Sequence, residues 1–105
     1  MKVVILQSAQ ADLVALRSYI VKNFSTATWQ MTYTKLKATI RNLALFPQLG
    51  GVPNELESLN LMQYRQVLSG MNRIIYEVRQ DRVYIHLIVD TRRDLKDVLM
   101  QRLLR

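Results

Sequence analysis

Six arginines, Arg65, Arg73, Arg79, Arg82, Arg92 and Arg93, crowd the stretch "YRQVLSGMNRIIYEVRQDRVYIHLIVDTRRDL". A guanidinium stays protonated at any relevant pH, so arginine is a poor general base. Its planar fork suits phosphate or carboxylate. The chemistry open to these residues is recognition of an anion. Arg92 and Arg93 lie where the last helical pattern begins, and a cation at a helix N-terminus is disfavoured by roughly 0.3–1 kcal/mol. Asp90 and Asp94 flank them and can neutralise part of that charge. The remainder is available to an anionic partner. Arg79 and Arg82 border a turn containing Asp81, where a solvated ion pair is worth about 0–1 kcal/mol.

Other chemistries have little to stand on. One histidine and no cysteine leave no zinc-type ligand cluster, so no metal or cofactor is expected. Gly50-Gly51 lacks the lysine and hydroxyl residue of a phosphate loop. His86 is the one imidazole; a lone strand histidine beside Tyr84 reads first as packing, and no serine context supports a nucleophilic triad.

The arginines need elements to position them. "KVVIL" (Lys2–Leu6) is a strand. Ser8 is a candidate cap for a helix running through Leu13, Leu16 and Ile20 to about Asn23. Ser25 is a second cap. Beyond it Trp29, Tyr33, Leu36, Ile40 and Leu43 form one apolar stripe on a long helix that "FPQLGG" ends. The short link makes the two helices an antiparallel hairpin. Pro47 to Leu61 reads as a surface loop with room for one helical turn.

The period then changes to two. "QYRQVL", "MNRIIYEVRQ" and "RVYIHLIV" form a three-stranded antiparallel meander joined at Ser69-Gly70 and Gln80-Asp81. Ile74, Tyr76 and Val78 face the helices, while Arg73, Ile75, Glu77 and Arg79 face away. Val83, Ile85, Leu87 and Val89 alternate with Tyr84, His86 and Ile88. Asp94–Leu104 returns to helix. The order β-α-α-β-β-β-α specifies an α+β domain, residues 1–105, with the hairpin on one face of a mainly antiparallel four-stranded sheet. The first strand is an edge. The opposite face is expected to be uncovered, with Arg65 and Arg73 close together on it or its rim.

A formal charge of +7, from 15 Lys and Arg against 8 Asp and Glu, favours anionic partners. Half the residues are hydrophobic, which argues against disorder. The apolar start is too short for a signal peptide or a membrane span, and with the absence of cysteine this predicts a soluble, cytoplasmic protein.

"YRQVLSGMNRIIYEV" (Tyr64–Val78) followed by "VYIHLIVDTRRDL" (Val83–Leu95) resembles the ParE/RelE superfamily of bacterial toxin–antitoxin toxins. "SAQADLVALRSYI" (Ser8–Ile20) is similar to the helical start of ParE-type members. The likeness spans the chain in order and size. Its most specific part is "NRIIYEV" combined with an apolar strand ending in "RRDL". It implies a helical hairpin on a small twisted sheet. RelE-like members cleave messenger RNA in the ribosome; ParE-like members inhibit DNA gyrase. Val67 stands where RelE has a second lysine, and the last helix lacks a tyrosine, with Leu99 near the expected place. "TRRDLKDVLMQRLLR" looks more like a ParE ending.

The resemblance therefore implies a non-enzymatic toxin that blocks gyrase. Its partner would be a ParD-like antitoxin, acidic and partly disordered, in a hetero-oligomer that meets operator DNA only through the antitoxin. Arg65, Arg73, Arg92 and Arg93, with Leu95, Leu99 and Leu103 of the last helix, are the expected toxicity residues. The alternative is a ribosome-dependent mRNA endonuclease using Arg65, Arg73, Arg93 and His86.

Overall fold

The structure is a computed structural model that describes residues 1–103. Its elements are β1 (Lys2–Ile5), α1 (Gln7–Asn23), α2 (Thr26–Leu45), α3 (Asn54–Glu57), β2 (Tyr64–Ser69), β3 (Asn72–Arg79), β4 (Arg82–Asp90) and α4 (Leu95–Leu103). The sheet order is β1-β4-β3-β2, antiparallel except for the parallel pair β1–β4. This is the expected layout, with β1 at an edge.

Ser25 caps α2 as expected, accepting from the Thr28 N–H at 3.0 Å. Ser8 does not cap α1. The N-cap position is Leu6, two residues earlier, with no side-chain cap. The Ser8 hydroxyl instead donates to the His86 carbonyl at 3.2 Å. The reason lies in unequal strand lengths. β1 ends at Ile5 opposite Ile85, while β4 runs on to Asp90. The β4 backbone beyond Ile85 would lack partners on that side. Side chains of α1 supply them: Ser8 at His86, and the Asp12 carboxylate, which accepts from the Ile88 N–H at 3.0 Å.

One irregularity reorganises the sheet. Ile75 pairs with Leu87, but the next residue, Tyr76, pairs with Ile85. His86 is thus an extra residue in β4, a β-bulge. Because side chains alternate with period two, one inserted residue exchanges the two faces beyond it. The simple alternation expected for this strand is broken. Val83, Ile85 and Ile88 enter the core beneath the hairpin with Ile74, Tyr76, Leu36 and Leu43. Leu87 and Val89 go to the opposite face.

That face is not uncovered. Leu56 of α3 and Leu95, Val98 and Leu99 of α4 close over Tyr64, Ile75, Leu87 and Val89 in a second core. The segment Pro47–Leu61 is correspondingly more than a surface loop, since Leu56 is fully buried. At its start it is anchored to the sheet through Tyr76. The Tyr76 hydroxyl donates to the Pro47 carbonyl at 2.9 Å and accepts from the Gly50 N–H at 2.8 Å. Gly50 lies so close to β2 that an added Cβ would stand 2.1 Å from the Gln66 carbonyl oxygen.

Both changes at this joint are expected to destabilise the fold. Tyr76→Phe strands a buried N–H and a carbonyl and should lower unfolding free energy by about 1–3 kcal/mol. Gly50→Ala should cost at least as much, because the obstacle is backbone. Urea denaturation followed by circular dichroism measures both; an unchanged midpoint for either would show that the segment does not depend on this contact.

Candidate functional site

Arg65 and Arg73 do not share a surface. Arg65 lies opposite Tyr76 on the hairpin side of the sheet, and Arg73 lies opposite Val89 on the other side. Their strands are neighbours, but their side chains project from opposite faces. The Arg65 guanidinium donates to the Gly50 carbonyl at 2.6 Å. Arg73 donates to Glu55 at 2.8 Å, tying β3 to α3. Burial alone would raise the Glu55 carboxyl; its backbone bond and Arg73 outweigh that and hold it below its usual value. The expected joint patch of sheet arginines does not form.

Among the other cations of this region, Arg79 is 3.4 Å from Glu77 and lies 4.7 Å from the centre of the Tyr84 ring. His86 Nε2 is 2.9 Å from Glu77, with the ring set edge-on to Tyr64. Arg102, which the sequence reading passed over, bonds both to the His86 carbonyl at 3.2 Å and to Asp12. The bulge is therefore held from α1 and from α4 together. Periodicity could not have marked Arg102, because its partner lies ninety residues away.

The stretch "DTRRDL" separates into three roles. Arg92 forms a two-point pair with Asp90, at 2.9 and 2.8 Å, and its N–H reaches the same carboxylate at 2.8 Å. Asp94 caps α4 by accepting from the Lys96 N–H at 2.9 Å. Arg93 is exposed and has no ion-pair partner among the described residues. Of the expected apolar contacts, Leu95 and Leu99 are 1% and 4% exposed and belong to the second core. The side chain of Leu103 lies outside the described residues.

Arg93 borders a groove of about 710 Å³. The groove runs between the hairpin, the Gly70–Met71 turn and the approach to α4. Tyr19, Phe24 and Met71 line it and are 52%, 66% and 58% exposed. Ile20 and Val98 form apolar floor, and Lys35 stands on its rim without an ion-pair partner among the described residues. No spacing in the sequence marks this groove. Its walls come from α1, α2, β4 and α4, so no local pattern encodes it.

Such a groove, apolar at its base and with cations on its rim that have no ion-pair partner among the described residues, has the chemistry to accept an extended or helical acidic peptide. Residues 3–95 match the family model described as "ParE toxin of type II toxin-antitoxin system, parDE". The chain belongs to the ParE toxin family. A solved chain from the "Chromosomal ParDE TA system from P. aeruginosa" is 17% identical and superposes with a TM-score of 0.71, over 86% of this chain and 95% of that one. That likeness shows the shared fold. No curated protein matches. Among the described residues no helix is long and apolar enough to cross a membrane.

The carboxylates at the groove titrate in opposite senses. Hydrogen bonding from the Arg92 side chain, set against a small burial penalty, holds Asp90 at about 2 rather than 3.8. The folded chain binds this proton less tightly than the unfolded one. The pair's contribution is complete above about pH 4 and is lost as pH falls towards 2. Burial raises the Asp12 carboxyl despite the lowering by Ile88 and Arg102, so the cost of its charge is relieved on acidification. Asp90→Asn should therefore lower stability most at neutral pH, modestly because the pair is exposed, and converge on the parent chain as pH falls towards 2, which flattens the acid limb. Thermal melts across that range test this; an acid limb as steep as that of the parent chain would contradict it.

Proposed function

We propose that this member of the ParE toxin family inhibits DNA gyrase in the cytoplasm and is neutralised by a cognate ParD-like antitoxin. The observation that carries the reading is an exposed, unpaired Arg93 beside an open apolar groove, in a chain of this family. The antitoxin would lay an acidic, apolar segment into the groove. Its apolar side chains would meet Tyr19, Phe24 and Met71, and its carboxylates Arg93 and Lys35. A partly disordered segment would become ordered as it bound. Operator DNA would be reached through the antitoxin in a hetero-oligomer.

The toxicity residues are weighted by their freedom. Arg93 is available to a target. Arg92 can exchange Asp90 for an external carboxylate or phosphate only by giving up a two-point pair. Arg65 and Arg73 act first on the fold, and Leu95 and Leu99 act by holding α4 on the sheet. Toxicity lost through these four residues would come with lost stability.

The endonuclease alternative draws on one observation, the His86–Glu77 contact at 2.9 Å, an arrangement open to acid–base work. Against it, the Arg65 and Arg73 guanidinium groups it would use are already engaged by Gly50 and Glu55.

Purified protein should abolish gyrase supercoiling while leaving message intact in a translation reaction. Arg93→Ala should weaken inhibition about tenfold, in line with loss of one interfacial hot spot. Phe24→Glu and Met71→Glu should weaken antitoxin binding at least as much in calorimetry without lowering the melting temperature, since both side chains are exposed. Undiminished supercoiling with cleavage inside codons would establish the alternative. Unchanged antitoxin affinity in both groove variants would remove the groove from the reading.

A further inference from the structure

The hairpin has a second surface that the groove does not use. Trp29, Tyr33, Lys37 and Arg41 recur at every fourth residue of α2. At 1.5 Å rise per residue this strip is about 18 Å long and winds slowly around the helix. Trp29 and Tyr33 are stacked, with ring centres 5.2 Å apart and planes 13° from parallel. The Lys37 ammonium stands 4.6 Å from the centre of the Tyr33 ring. Beside Trp29, between α1 and α2, lies a shallow depression of about 420 Å³ lined by Leu13, Val14, Arg17, Gln30 and Tyr33.

The charge on this flank is of one sign. Helix α2 contains no Asp or Glu along its 20 residues. Arg17, Lys37 and Arg41 are exposed and enter no ion pair among the described residues. By contrast, Arg73, Arg79, Arg92 and Arg102 are all paired. Much of the free positive charge is thus on the helices rather than on the sheet. A row of cations without interspersed carboxylates suits a partner whose negative charge repeats at regular intervals. A positive patch complements any negative surface, so the aromatic depression beside it is what separates a nucleic acid from an acidic protein. An indole at the edge of an open depression, with Arg17 beside it, adds a surface on which an unpaired base can stack.

We propose that this flank binds single-stranded nucleic acid. The phosphates run along Arg17, Lys37 and Arg41, and one base enters the depression against Trp29. The surface is separate from the groove at Arg93, and the proposal holds whichever target that groove serves.

Trp29 is the chain's single tryptophan, so its fluorescence reports on the site directly. The purified protein is titrated with a 12-nucleotide oligothymidylate at several salt concentrations, with a duplex of equal length and polyglutamate as competitors for the assignment. Saturable quenching is expected, with log affinity falling against log salt at a slope of about −2 for three phosphate contacts. The combined variant Arg17→Gln, Lys37→Gln, Arg41→Gln removes no ion pair and should keep its circular dichroism spectrum. It should bind at least about tenfold more weakly at low salt, with most of the slope gone. Binding without quenching, an unchanged affinity in the folded triple variant, or equal quenching by the duplex or by polyglutamate would each overturn the proposal.

Discussion

An inserted residue in β4 divides one strand between two cores. Up to Ile85 the apolar side chains of β4 serve the layer beneath the helical hairpin; after His86 the faces exchange, and Leu87 and Val89 serve the layer beneath α3 and α4. A bulge leaves backbone groups out of register, and these need partners of their own. Ser8 and Arg102 take the His86 carbonyl, and Asp12 takes the Ile88 N–H. The same contacts fasten the first helix and the last to the middle of the sheet. Without the bulge, Leu87 and Val89 would point at the hairpin and α4 would have much less to pack on.

Covering both faces of the sheet determines where charge is free. Three strand arginines lie where carboxylates or carbonyls reach them: Glu55 for Arg73, Glu77 for Arg79 and Gly50 for Arg65. The lysines and arginines of the hairpin helices, Arg17, Lys22, Lys35, Lys37 and Arg41, have no ion-pair partner among the described residues. The excess charge of +7 is therefore expressed mainly at the edge of the sheet, around Arg93, and along the hairpin. A guanidinium held by an internal acceptor contributes to the fold; one without an acceptor is left for a partner.

The groove at Arg93 follows from the same arrangement. α4 is tied to the hairpin through the Arg102–Asp12 contact, and the space between that contact and the Gly70–Met71 turn stays open. Tyr19, Phe24 and Met71 remain at least half exposed there. Exposed aromatic and methionine side chains beside cations have the composition of protein interfaces.

Local pattern by itself determined the order of elements, the cap at Ser25, the edge position of β1, the inward face of Ile74, Tyr76 and Val78, and the family likeness carried by "NRIIYEV" and "RRDL". These rest on spacing within a few residues, where helical and strand periods are directly visible. The tertiary structure alone decided the bulge at His86, the second core, the opposite faces of Arg65 and Arg73, and the groove. It also decided that the apolar stripe of α2 would bury Leu36 and Leu43 but leave Tyr33 at the surface. A bulge shifts faces without changing composition, and Arg102 finds Asp12 across most of the chain. Such pairings depend on how layers stack, and the spacing of residues along one strand or helix carries no record of that.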